Sequence, residues 1–129
     1  MQSTVASALA AAGWQLRSLA DTATRAHGVD ITAVRDDRRL LVEVKGYPAG
    51  SSSANTQARH LFGGALLAGI LMAEDKGACR VLAFPDYQTY TTLVRRTTAA
   101  LQQLAIGVLL VAEHGEVSEA ISPPDGAVL

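Results

Sequence analysis

Apolar residues recur along this chain with two different periods. Residues 3–12 place Val5, Ala8, Leu9 and Ala12 at helical spacing, and Gly13 is suited to end that helix. Trp14, Leu16 and Ser18 open a first strand. Residues 21–28, DTATRAHG, carry turn signals. Residues 29–35 and 40–45 are rich in β-branched and aliphatic side chains and read as two strands. The stretch 46–56, GYPAGSSSANT, is a loop with the length of an active-site flap or a disordered excursion. Asn55 or Thr56 is then available to cap a helix over 57–75.

That helix is apolar almost all round, which predicts burial on more than one side. Its small residues, Gly63, Gly64, Ala65, Ala68 and Gly69, suit close packing within the chain. Residues 78–85 form a buried strand ended by Pro85. Asp86 caps a helix through about 105, with Tyr87, Tyr90, Val94, Thr97, Leu101 and Leu104 as its apolar stripe. Residues 106–112 are a second continuous apolar strand, and 117–121 a weaker last one. Strand, helix and strand over 78–112 make a βαβ unit, so those two strands should run parallel. The order α-β-β-β-α-β-α-β-β predicts an α/β fold: a mixed sheet, antiparallel meander plus parallel crossover, with helices on both faces.

Composition narrows the class. The chain has 129 residues, which fits one domain spanning 1–129; 49% are hydrophobic and 18% charged, as in ordinary globular proteins. One cysteine, Cys79, excludes an internal disulfide and a cysteine-rich zinc site. The N-terminal segment has no Lys or Arg before its short alanine-rich run, so it reads as a helix rather than a signal peptide. The apolar run 61–73 is too short to span a bilayer. A cytoplasmic protein with no membrane partner is expected. With net charge −1 and a pI near 6.3, any site for a polyanion must be local. Arg35, Arg38, Arg39, Lys45 and Arg59 cluster in sequence, while Glu113, Glu116, Glu119 and Asp125 crowd the C-terminus.

Three charges sit where strand packing would prefer Val or Ile: Asp30, Glu43 and Lys45. If Asp36 and Asp37 form a two-residue turn, Asp30 lies opposite Glu43; if the turn has four residues, Asp30 faces Lys45. Any even-length turn keeps all three on one sheet face, because side chains alternate. The opposite face then holds Val29, Ile31, Ala33, Leu40, Val42 and Val44. The Asp-Asp pair lacks the glycine favoured in two-residue turns, and an odd-length turn would break the pairing. Neighbouring carboxylates repel each other, and a divalent cation removes that cost. Mg²⁺ is the natural candidate, since it is content with few carboxylates and keeps several waters; Mn²⁺ is an alternative. A lysine beside them can hold an attacking water or steady negative charge developing on a phosphate. The alternative for these charges is the wet face of an edge strand.

Val29-Asp30, twelve residues, then Glu43-Val44-Lys45 resembles the PD-(D/E)XK nuclease superfamily, the fold of many restriction endonucleases and archaeal-type Holliday junction resolvases. The element order matches that family's core over roughly residues 3–84. The resemblance implies Asp30 and Glu43 as metal ligands, the Val44 carbonyl as a third, and Lys45 as the catalytic lysine. The family's first position is Pro and here is Val29. Many members carry an acid in the first helix, and residues 2–12 hold none. Some branches place Gln and, four residues on, Tyr after the lysine strand; here Gln57 is followed by Leu61.

The function expected is a Mg²⁺-dependent endonuclease hydrolysing phosphodiester bonds of nucleic acid, with DNA as the partner. Gln57 and Arg59, at the start of a helix, are candidates to touch the substrate. Cutting both strands of a duplex would need two protomers, so a symmetric homodimer is expected. The alternative is a catalytically inactive nuclease fold serving as a nucleic-acid-binding, assembly or regulatory module. Tyr87 and Tyr90 read as core or rim, and Arg95-Arg96 as a solvated helix face.

Overall fold

A computed structural model of the protein describes residues 1–19, 29–48 and 53–129. The expected turn region 21–28 lies outside the described residues, as do residues 49–52 of the expected loop. The organising element is the hairpin of β2 (Ile31–Arg35) and β3 (Arg38–Val44). Its turn has two residues. Asp36 and Asp37 adopt φ 49° and 67°, so two aspartates occupy the left-handed positions usually given to Asn-Gly. The pairs run from Arg35 with Arg38 to Ile31 with Val42.

Around this hairpin the sheet is six-stranded, in sequence order: β1 (Gln15–Leu19), β2, β3, β4 (Cys79–Pro85), β5 (Ile106–Val111) and β6 (Val117–Ile121). The first three strands and the last pair are antiparallel; β3, β4 and β5 are parallel, as the βαβ unit requires. Helix α1 (Gln2–Ala11) covers one face, over Ile31, Ala33, Leu40, Val42, Val81 and Leu109. Helices α2 (Ala54–Leu71) and α3 (Gln88–Gln103) cover the other, over Leu82, Phe84 and Val108. The element order and mixed, doubly covered sheet follow the alternation of periods in the sequence.

Several local expectations change. Helix α2 starts three residues early, because the Ser53 side chain accepts from Thr56 N–H; neither Asn55 nor Thr56 is the cap. A 3₁₀ turn, Met72–Glu74, ends it. It buries one side only: Ala58, Phe62 and Ala65 face the core, while Leu67, Ile70 and Leu71 are exposed. Of its glycines only Gly69 is a close approach, where an added Cβ would lie 3.1 Å from Ile106 and 3.2 Å from Leu82. Gly63 and Gly64 have nothing within 4 Å, and each costs ~1 kcal/mol against alanine. Helix α3 is entered through Tyr87, not capped by Asp86. Arg80 donates to the carbonyls of Gly69 (2.9 Å) and Leu104, placing a cation at the C-terminal ends of α2 and α3.

The sequence cluster of basic residues dissolves in three dimensions. Arg35 and Arg38 lie over the Trp14 ring, 4.4 and 5.5 Å from its centroid. They donate to Ala12, Gly126, Ala127 and Val128 carbonyls, strapping down the C-terminal segment. Trp14 Nε1 also donates to Val128 O (2.7 Å), and Glu119 accepts from the N–H groups of Val128 and Leu129. Arg39 forms a fork on Asp75 at 2.6 and 2.7 Å, holding that exposed carboxyl below its usual range. These three arginines are structural.

At Gly107 the chain approaches itself most closely. An added Cβ would meet Pro123 Cδ at 2.8 Å and the Ile121 carbonyl at 2.9 Å, and backbone cannot yield cheaply. Gly107→Ala should therefore lose about 1–3 kcal/mol in urea unfolding. Gly63→Ala, measured in dilute solution, should gain up to ~1 kcal/mol.

Candidate active site

The open end of the hairpin carries the three sequence-predicted charges. β3 is a central strand, paired with β2 on one side and β4 on the other, so the edge-strand reading of Glu43 and Lys45 fails. Glu43 is 2% exposed and Asp30 4% exposed, the two buried charged residues among those described. Glu43 shares its sheet face with Leu41, and its neighbour in β4 is Leu82, which packs with Ala58 and Phe62 of α2. Lys45, two residues on, brings Nζ to 3.6 Å from Glu43 Oε2 and keeps 19% of its side chain exposed.

Asp30 lies one residue outside β2, and there the register departs from strict alternation. Its N–H donates to Val42 O (2.9 Å), although Val42 already faces Ile31. Its Oδ2 accepts from Val44 N–H at 2.7 Å, so a carboxylate takes the place of the next rung of the ladder. Asp30 is thus held against the Glu43–Val44 peptide rather than set squarely opposite Glu43. In an extended strand the N–H and C=O of one residue point the same way. The Val44 carbonyl accordingly points toward the side where Asp30 sits. Gln2 at the start of α1 donates to the Asp30 carbonyl (3.4 Å), so the first helix meets this site with a neutral amide.

The chain after Lys45 is anchored. Lys45 N–H donates to Ala83 O, extending the parallel pairing. The Tyr90 hydroxyl donates to Gly46 O at 3.0 Å. Tyr90 belongs to an aromatic column running from Phe62 through Phe84, with centroids 5.1 and 5.0 Å apart, then by edge contacts through Tyr87 to exposed Tyr47. Burial pushes the Tyr90 phenol up to about 12. Burial likewise pushes the Cys79 thiol up, leaving it an inert core group beside Arg38 and Asp125.

Gln57 and Arg59 are not brought together. Residues two apart on a helix lie about 200° apart around it. Arg59 faces α3 across a groove of about 450 Å³, whose lining includes Asn55, Tyr87, Thr89, Thr92 and Arg96. Helix α3 packs over β5, whereas α2 lies over β3 and β4, so Gln57 lies on the side of α2 turned away from Arg59 and the groove. Arg96, read from sequence as part of a solvated helix face, stands in this groove with Arg59. The signal was present in the polar stripe Thr89, Thr92 and Arg96 at helical spacing, but nothing in it says that α2 runs alongside. Among the described residues neither Arg59 nor Arg96 has an ion pair or hydrogen-bond partner. Both helix N-termini follow the C-terminal ends of parallel strands, so groove and charged site open at the same edge of the sheet, where ligands of such sheets bind.

No protein-family model matches the chain, and no curated protein does. Solved structures do. An XisH family protein from Nostoc punctiforme superposes with a TM-score of 0.62 at 21% identity, covering 94% of this chain and 98% of that one. A fdxN element excision controlling factor protein from Anabaena variabilis gives 0.57 at 23% identity, covering 90% and 93%. The protein has a restriction endonuclease-like fold. No described helix is long and apolar enough to cross a membrane.

The raised Tyr90 phenol ties this edge of the fold to alkaline pH. Its folded value, about 12, lies above the ordinary 10, so its contribution is complete below pH 10 and lost as pH rises toward 12. Wild type should lose stability across that window more steeply than Tyr90→Phe, although Tyr90→Phe starts lower by the Gly46 hydrogen bond. Urea midpoints at pH 8, 10 and 11.5 measure both effects.

Proposed function

We propose that the protein is a metal-dependent nuclease that hydrolyses phosphodiester bonds, with DNA as the substrate. The observation that carries this reading is the placement of Asp30, Glu43 and Lys45: two buried carboxylates and a half-sheltered lysine at the open end of a central hairpin, on this fold. It also supports the specific likeness to PD-(D/E)XK nucleases.

The donor set suits Mg²⁺ or Mn²⁺. Among the described residues no group of three or more His, Cys, Asp and Glu stands together, so a cage of protein ligands is not available. Two carboxylates and a main-chain carbonyl are all hard oxygen donors, and Mg²⁺ takes one or two carboxylates and keeps its waters. Asp30, Glu43 and the Val44 carbonyl would hold it. With Gln2 rather than an acid reaching in from α1, the negative charge present balances one divalent ion and not two. When bound, the ion would lower the pKa of a water and offset phosphate charge.

The chain's own groups do the rest. Lys45 carries its charge at the mouth of the site, tethered to Glu43, where it orients the attacking water and offsets negative charge developing on the phosphate. Arg59 and Arg96 hold a neighbouring backbone phosphate in the groove between α2 and α3, and Tyr47 and Tyr87 wall the path between groove and site.

Thermal melts separate metal binding from cleavage. Mg²⁺ should raise the wild-type melting temperature, by an amount equivalent to ~2.7 kcal/mol at a hundredfold excess over Kd. It should do little for Asp30→Asn, which retains an oxygen to accept from Val44. Lys45→Met should keep the Mg²⁺ response but lose plasmid cleavage. A wild type whose melting ignores Mg²⁺ and Mn²⁺ contradicts the proposal. Separately, Arg96→Ala should weaken DNA binding and reduce its salt slope by about 1, read from fluorescence anisotropy across a salt series.

A further inference from the structure

Helix α2 has two apolar sides, and the chain covers one. The covered side is Ala58, Phe62, Ala65 and Gly69. Diametrically opposite lie Gly63, Gly64, Leu67, Ile70 and Leu71, with Leu67 57%, Ile70 43% and Leu71 50% exposed. His60 and Glu74 bound this strip, both exposed and both without an ion pair or hydrogen-bond partner among the described residues, save for backbone bonds.

We propose that this face is the interface of a homodimer, in which α2 packs antiparallel on α2 of a second copy about a two-fold axis at Leu67. Antiparallel pairing about Leu67 sets residue 63 against 71, 64 against 70 and 60 against 74. Leu71 of each copy then falls on Gly63 of the other, and Ile70 on Gly64. The large side chains land where the facing helix has none, and an added Cβ there would meet nothing within its own chain. The same register sets the His60 imidazole against the Glu74 carboxylate, at both ends by symmetry. A parallel pairing would stack Glu74 on Glu74 and leave Gly63 facing Gly63, with voids where leucines should fit. The strip is therefore complementary to itself in shape and in its polar end pairs, which is the requirement of a two-fold interface. An unrelated partner would place no such condition on it.

The proposal is independent of the nuclease reading, and it has a consequence for it. Helix α2 starts at the edge of the sheet that carries Lys45, so antiparallel pairing turns the two sites to opposite ends of the dimer. Each protomer would then act on its own stretch of substrate.

Cysteine cross-linking of the full chain reads the register directly. Leu67→Cys lies on the two-fold axis, where two helices in contact bring facing Cα atoms within disulfide reach. Mild oxidation should convert it to a covalent dimer. Gly63→Cys should not cross-link, because its two copies are offset by about 12 Å along the axis. Cys79 is buried and gives the wild-type background. In sedimentation velocity, wild type should show a concentration-dependent dimer. Leu67→Glu, at an exposed position, should be monomeric with an unchanged circular dichroism spectrum. His60→Glu should weaken the dimer at least tenfold, and adding Glu74→Lys should restore it. A wild type that stays monomeric at every concentration, a dimer indifferent to Leu67→Glu, or cross-linking at 63 as ready as at 67 would each overturn the proposal.

Discussion

The two-residue turn at Asp36–Asp37 decides where every charge on the β2–β3 hairpin falls. A slip by one residue would move Leu40 and Val42 from the α1 core to the other face, and would turn Glu43 into the α1 core in their place. With the turn as it is, Ile31, Ala33, Leu40 and Val42 complete the core under α1, and Glu43 points beneath α2. Burying a carboxylate costs roughly several kcal/mol per ion. Here Val44 N–H offsets part of that cost for Asp30, and Lys45 part of it for Glu43. Apolar side chains at both positions would serve the core better. Two buried acids beside one lysine are a destabilising arrangement of the kind that functional sites hold.

The rest of the molecule delivers other groups to the same edge. Parallel pairing of β3 with β4 brings both strands' C-terminal ends together, and each is followed by a helix that begins there. Ser53 caps α2 and Tyr87 leads into α3, so Arg59 and Arg96 stand across one groove. The aromatic column from Phe62 to Tyr47 braces this edge from the core outward. Its Tyr90 hydroxyl fixes Gly46, the residue after the lysine. By contrast, the arginines at the turn end are consumed by the C-terminal strap, which leaves the basic character of the site to Lys45 and the groove.

Much of this was legible in the chain. Alternation gave the core face of the hairpin, and the apolar runs at 78–85 and 106–112 with a helix between gave the parallel pair. Glu43 and Lys45 stood out because charged residues interrupt an aliphatic strand. Other features depended on long-range placement. Arg35, Arg38 and Arg39 cluster in sequence, but the C-terminal segment and Asp75 take up their donors. Gln57 and Arg59 are both candidates to touch a substrate by sequence, and the position of α3 puts Arg59 alone of the two in the groove. Helix α2 reads as buried on more than one side and is covered on one, because periodicity reports which sides are apolar and not which neighbour covers them. At Asp30 alternation itself failed, because a short carboxylate can replace a ladder hydrogen bond and shift its own residue out of register.

On the proposed reading, Asp30 and Glu43 are buried together to hold a divalent cation beside Lys45. Anomalous diffraction from crystals of the protein grown with Mn²⁺ tests it most directly. One ion in contact with both carboxylates and the Val44 carbonyl, with Lys45 Nζ facing its open side, is the expected result. Crystals in which Asp30 still accepts from Val44, Glu43 still pairs with Lys45, and no anomalous peak lies between them would contradict it.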